Sequence, residues 1–160
     1  MAKIDTIVFD PTIPDGRDRM INVSATVGAN GVNHQDDVIA VQALLKYALQ
    51  WRNDFKGEEF PEPSGAFIKA TAHLIKKYQR HMNRKSHNMS IDGRIDPAKS
   101  GIYAYGTKKI WTIYALHVDS IETALLSGHK TPIDGICKRW PFMEAILEKQ
   151  GVGSLNLALE

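Results

Sequence analysis

A single cysteine, Cys137, occurs in the 160 residues of the chain. No internal disulfide can form, so stability must come from burial. That usage suits the cytosol without excluding an extracellular destination. Long apolar runs are absent too: nothing approaches the ~18 consecutive residues of a membrane span. The opening MAKIDTIVFDPTIPDG has no apolar centre of the kind a cleaved signal needs. The expectation is a protein made in the cytoplasm without a signal peptide and without membrane insertion. Delivery to the periplasm or cell wall would need a non-classical route. Charge of one sign is lacking as well, with 20 basic against 18 acidic residues and a formal net charge of +2. So weak a field gives no case for nucleic acid. The densest basic run, Lys76, Lys77, Arg80, Arg84 and Lys85, reads as the solvated face of a helix. Also missing are a phosphate-binding glycine loop, a Gly-x-Ser-x-Gly elbow and a His-Glu-x-x-His pair.

What is present is an ordinary globular composition, 43% apolar and 24% charged, in a length that suits one domain. Residues 1–33 read as an irregular arm with short strands at Ile4–Phe9 and Ile21–Val27, the second ended by Gly28-Ala29-Asn30-Gly31. Asn33 is a natural N-cap for a first helix, with Asp36 and Asp37 in its first turn. Val38, Val41, Leu45, Ala48 and Leu49 form its apolar stripe. A loop over 52–65 follows, then a second helix from about Ser64. Its inner face holds Phe67, Ala70, Leu74, Ile75, Tyr78 and Met82. Thr107 can cap a third helix using Ile110, Trp111, Ile113, Tyr114 and Leu116. A separate shorter piece, Ser120–Leu126, stops at Gly128, and a last helix is expected over Pro141–Lys149, opened by its proline. The class is mainly α, with a little β in the arm.

The densest chemistry lies in SIDGRIDP, Ser90–Pro97. A calcium loop needs alternating oxygen ligands and a closing acidic residue, yet Arg94 stands between Asp92 and Asp96. The same Arg would lower both carboxyl pKa values, which opposes a glycosidase acid pair. The stretch reads better as a corner: an Asp-Gly turn, a brief extended Arg-Ile step, and Asp-Pro opening the next helix. Cys137 has basic neighbours that favour a thiolate. No histidine follows it in sequence, and a structural cysteine is the simpler reading. His73, His81 and His87 match no zinc spacing. No metal and no cofactor is therefore expected. Tyr103 and Tyr105, on a turn-rich stretch after the corner, can offer rings to a sugar or peptide, with Arg94, Asp96 and Asn88 nearby. Trp111 and Tyr114 read as core. The candidate ligand-binding residues are Arg94, Asp96, Tyr103 and Tyr105, with no catalytic residue.

Two stretches echo each other. VIAVQALLKYAL and HLIKKYQRHMN both place an apolar or aromatic residue before Gln, and only the second is followed by IDG. With the cap residues before VIAVQALL, the helix ending LIKKYQ and the corner IDGRIDP, the chain resembles the peptidoglycan-binding-like domain of bacterial cell-wall hydrolases and phage proteins. That family is a three-helix domain built on a degenerate repeat. Val41-Gln42, Tyr78-Gln79 and Asp92-Gly93 through Pro97 occupy its motif positions, over roughly residues 28–116. The first repeat lacks the Asp-Gly turn and carries FKGEEFPEPSG, and Ala98–Gly106 stands as an insertion. The resemblance implies that Gln42, Gln79 and Asp92 chiefly hold helices together. The chain is expected to divide into an arm (1–33), a peptidoglycan-binding-like helical domain (34–118) and a helical C-terminal extension (119–160), together one compact unit, with the arm and the tail past Val118 outside the resemblance. The resemblance further implies a non-catalytic module for cell-wall glycan or stem peptide, targeting a hydrolase or toxin in a phage or secretion-system setting. The alternative is a protein-interaction adaptor that docks a partner protein with the same fold, and a wall hydrolase using Cys137 or the acidic pair comes last.

Overall fold

The computed structural model describes residues 2–8, 17–85, 89–99 and 110–147. Among these the chain is mostly helical with a few short strands, as its composition and periodicity suggest. Strands β1 (Lys3–Val8) and β2 (Arg17–Asn22) pair antiparallel with Ile4 opposite Ile21. Strand β3 (Val27–Gly28) pairs antiparallel with β4 (Arg94–Ile95), Val27 opposite Ile95. The N-terminal stretch is thus stitched to the SIDGRIDP corner. Between β2 and β3 the expected strand breaks, because the Asp37 carboxylate draws in both the Ser24 and Ala25 N–H groups at 3.1 and 3.2 Å.

Helix α1 (Gln35–Leu49) is the centre of the molecule, with every residue from Asp37 to Leu49 buried. One apolar stripe was expected, but QDDVIAVQALLKYAL is apolar nearly all round, and such a helix is covered on every side. Its polar residues Asp37, Gln42 and Lys46 are each matched by a partner. Leu44, Leu45 and Leu49 are sealed from water, and each contributes about 1.5–3 kcal/mol by the usual scale. Helix α2 (Lys69–Arg84) is truly amphipathic. It buries Leu74, Ile75, Tyr78, Gln79 and Met82 and turns Lys76, Arg80 and Arg84 to solvent, as the basic run suggested. Helices α3 (Thr112–Ser127) and α4 (Pro132–Arg139) pack against α1. A last helical segment covers 142–147. One continuous apolar core gathers residues from Ala2 to Leu147, including Met20 and Ile21 of β2, Phe55 of a single 3-10 turn, and Met143.

Several boundaries differ from the sequence reading, each for a local reason. His34, not Asn33, stands at the N-cap position of α1, and its side chain makes no capping hydrogen bond. The Asn33 amide is engaged by Gly28, its Oδ1 accepting from Gly28 N–H at 2.7 Å. The second helix starts at Lys69 rather than near Ser64, because the Ser64 and Gly65 N–H groups are both held by Gln42. Ser120–Leu126 is not a separate piece but the second half of α3, with buried Ser120 donating to the Leu116 carbonyl at 2.7 Å inside the helix. Asp96-Pro97 opens no helix; the Asp96 carboxylate accepts from Thr26 Oγ1 at 2.5 Å instead. Thr107 lies outside the described residues, and Trp111 stands at the α3 cap. Helix α4 was not anticipated, although Thr131, Pro132 and Asp134 spell its start: the Thr131 hydroxyl accepts from Asp134 N–H at 3.0 Å.

Candidate functional site

The SIDGRIDP corner is organised by one fully buried side chain. Gln79 Nε2 lies within hydrogen-bonding distance of Asp92 Oδ1 (3.1 Å), the Arg94 carbonyl (3.0 Å) and Thr112 Oγ1 (3.1 Å). Its Oε1 accepts from Gly93 N–H at 2.8 Å. Asp92 Oδ1 also accepts from Arg94 N–H at 2.9 Å, which closes the turn. Gly93 sits at φ +71°, a region that only glycine enters without strain.

Gln42 on α1 repeats this arrangement at the other end of α2. Its Oε1 accepts from Ser64 and Gly65 N–H at 2.9 and 3.0 Å. Its Nε2 donates to the Ala66 carbonyl and to Thr71 Oγ1 at 2.9 and 3.1 Å. Gly65 has φ +87°. Residue for residue, Ser64-Gly65-Ala66 and Thr71 stand where Asp92-Gly93-Arg94 and Thr112 stand in the second bracket. The duplication taken as incomplete in the sequence is therefore present in the hydrogen bonding. It was hidden because Ser replaces Asp and because Gln and Gly are 23 residues apart in the first bracket against 14 in the second.

Of the predicted ligand-binding residues, Arg94 and Asp96 lie together at this corner. Their side chains are 39% and 40% exposed, with Arg94 Nη2 3.8 Å from Asp96 Oδ1. Asp96 is committed to Thr26 on its inner side. Arg94 thus presents a half-exposed guanidinium steadied by a carboxylate that is itself fixed. Tyr103 and Tyr105 lie outside the described residues, as do Asn88 and His87. Trp111 is partly buried against the core and Tyr114 is buried within it, as anticipated.

The other chemical candidates are placed apart. Among the described residues no group of His, Cys, Asp and Glu is arranged to hold a metal ion. His73 lies on the surface, 2.8 Å from Glu58, whose other oxygen accepts from Lys77 at 2.6 Å. The Lys77 hydrogen bond is the main cause holding the Glu58 carboxyl below its usual pKa. His81 is buried edge-on to Phe55, and that burial pushes its pKa down. Cys137 is half-buried on α4.

Sequence reasoning missed a concave surface, about 600 Å³, between the C-terminal ends of α1, α3 and α4. Its floor includes Tyr47, whose hydroxyl meets His129 Nδ1 at 2.8 Å. Burial, then Asp134, pushes the Tyr47 phenol up to about 12, so it stays neutral at physiological pH. Gly135 permits this pairing, since a Cβ there would stand 2.0 Å from Tyr47 Oη and 2.4 Å from His129 Nδ1. The wall is Trp51, 47% exposed, with its Nε1 donating to Thr123 Oγ1 at 2.8 Å. Tyr-x-x-x-Trp at the end of α1 was the available signal, but the facing surface is assembled from the end of α3 (Thr123, Leu126, Ser127), His129 and Arg139 of α4, which no single stretch of sequence displays. Comparison with protein-family models, curated proteins and solved structures returned no match.

Proposed function

We propose that this protein is a non-catalytic module that binds bacterial cell-wall peptidoglycan through the exposed side of the SIDGRIDP corner, with Arg94 and Asp96 as contacts and with Tyr103 and Tyr105, a few residues on in the sequence, supplying rings. The observation that carries this reading is the doubled glutamine bracket. Gln42 and Gln79 each fasten a glycine turn to the start of the following helix, at the motif positions through which the sequence resembles the peptidoglycan-binding-like domain. Both glutamines are spent on the scaffold, which leaves recognition to the groups outside it. Arg94 is suited to carbonyls, hydroxyls and carboxylates of wall polymer, because its planar donor fork is part-exposed and lies 3.8 Å from Asp96. The module would bring a separate hydrolase or toxin to the wall in a phage or secretion-system setting. The test is co-sedimentation with purified sacculi at low salt. Saturable pelleting, weakened by Arg94→Ala, is expected; protein that remains in the supernatant at excess sacculi sinks the reading.

A second reading rests on its own observation. Helix α3 exposes Val118 (43%) and Leu125 (74%), two turns apart on one face. Exposed aliphatic pairs at that spacing suit docking against another protein. The protein would then be an adaptor. A Leu125→Lys variant that loses a co-purifying partner while still pelleting with sacculi would assign the two roles to two faces.

A further inference from the structure

The cleft between α1, α3 and α4 has the makings of a binding site in its own right. Its apolar wall is the Trp51 indole with Leu126, the latter 68% exposed. The indole cannot swing freely: its N–H is tied to Thr123, and the Arg52 guanidinium lies 4.5 Å from the ring centroid. Arg52 is in turn held by the Ala48 carbonyl at 2.7 Å and by Asp119 and Glu122. Around the ring stand Gln50, Ser127, His129 and Arg139, a mixed set of donors and acceptors. Arg139 is positioned by Gln50 Oε1 at 2.7 Å and by the Trp140 ring at 4.6 Å.

The charge of the cleft is balanced. Lys46 is joined to Glu62, which also accepts from Trp140 Nε1 at 3.1 Å. The carbonyl ends of α1 and α3 offset the remaining positive charge of Arg139. Tyr47 remains an uncharged phenol. Neither an anion nor a cation is favoured by such a surface. A flat apolar wall beside fixed, uncharged or compensated polar groups is the complement of a neutral sugar ring, whose axial C–H face stacks on an indole while its hydroxyls are hydrogen-bonded at the edge. The volume, about 600 Å³, lies within the ordinary range for small-ligand sites.

We infer that this cleft is a neutral-saccharide site, with Trp51 as the stacking platform and Gln50, Ser127 and His129 as hydroxyl partners. It is separate from the Arg94–Asp96 corner and does not depend on the wall-binding reading, since the chemistry fits any uncharged hexose or N-acetylhexosamine unit. The two are told apart by their variants: Arg94→Ala weakens sacculus pelleting and leaves the sugar titration of the cleft unchanged, whereas Trp51→Ala weakens the titration and leaves the Arg94-dependent pelleting in place.

The experiment is a titration of the full ¹⁵N-labelled chain with N-acetylglucosamine tetramer, cellotetraose and, as a charged control, sodium acetate. The reporters are the Trp51 indole N–H in the parent chain and the backbone amides of Gln50, Ser127 and His129 in the parent and every variant. Saturable movement of these resonances by either oligosaccharide is expected, with affinity, read from the backbone amides, falling up to about tenfold in Trp51→Ala, the size of one lost aromatic contact. Trp51→Phe keeps a ring and should retain part of the binding, which separates stacking from any folding defect; Arg94→Ala should leave it unchanged. A response to the N-acetylated oligomer alone places an acetamide contact in the cleft, and a response to both restricts recognition to the ring and its hydroxyls. No saturable movement with either sugar, or equal affinity in Trp51→Ala, overturns the inference, as does a response to acetate alone.

Discussion

Replacing Gln79 by Ala withdraws the partner of four groups at once. Gly93 N–H, the Arg94 carbonyl, Thr112 Oγ1 and Asp92 Oδ1 all meet this one amide. Gln79 is sealed from solvent, so the Gly93 N–H and Arg94 carbonyl cannot all regain water without opening the corner. Each net hydrogen bond contributes about 1 kcal/mol and an unsatisfied buried group costs about 1–3. Asp92 keeps its bond from Arg94 N–H and suffers least. The sum is a loss of roughly 3–5 kcal/mol, a large share of the roughly 5–15 kcal/mol typical of a domain. Urea denaturation followed by circular dichroism measures it, with an unchanged slope showing that the transition stays two-state. Gln42→Ala, at the matching bracket, should lose a similar amount to within about 1–2 kcal/mol. Gln79→Glu adds a discriminating arm: it retains the acceptor for Gly93 but sets a carboxylate against Asp92. It should destabilise at neutral pH and recover on acidification, as the introduced acid takes up a proton. A Gln79→Ala loss no larger than that of the exposed Gln50→Ala would refute the bracket as the organiser of the fold.

Gly135→Ala should destabilise by about 1–3 kcal/mol through overpacking against Tyr47 and His129, although a helical Gly→Ala change ordinarily gains up to about 1 kcal/mol; Tyr47→Phe in the same chain should restore part of the loss, and thermal melts that show a gain for Gly135→Ala would contradict the packing. Thr131→Ala removes the cap that receives Asp134 N–H and should cost about 1 kcal/mol, read from the same urea curves. Burial lowers the His81 pKa from its ordinary 6.5, so below that pH the unfolded chain takes up a proton before the folded one does. His81 therefore costs nothing above its unfolded pKa and destabilises as pH falls beneath it. His81→Gln should flatten the stability profile just below pH 6.5, and an identical slope in the variant would count against this assignment. Glu58 and Glu62 have lowered pKa values, through the Lys77 and Lys46 hydrogen bonds respectively. Their contributions are lost only at lower pH, beneath the ordinary carboxylate value.

The helices were legible wherever one face alone is buried. Helix α2 carries its pattern openly because its outer side is Lys and Arg. Helix α1 was found for its apolar content, but its central place was not, since a stripe and an all-round apolar surface share the positions Val38, Val41 and Leu45. The corner was read well at Asp92-Gly93 and at the extended Arg94-Ile95 step. It failed at Asp96, because a side chain 70 residues away, Thr26, takes the carboxylate that local rules assign to a helix cap. The first glutamine bracket was missed for a similar reason: equal geometry is reached through loops of unequal length. Helix α4 had a local signal in Thr131-Pro132-x-Asp134, interrupted by Gly135, its fourth helical residue. Gly135 is there for the Tyr47–His129 pair, a tertiary demand no window of sequence displays. The cleft, made by the ends of three helices, was illegible for the same reason, whereas Arg94 and Asp96 were proposed together and do lie side by side.

The central claim, that the corner recognises wall polymer, is met most directly by titrating the labelled protein with soluble peptidoglycan fragments and following each backbone amide. The account predicts saturable shifts centred on Gly93, Arg94, Ile95 and Asp96, abolished in Arg94→Ala while the Gln79 bracket and the fold stay intact. A titration carried to excess fragment in which none of these amides moves would contradict it.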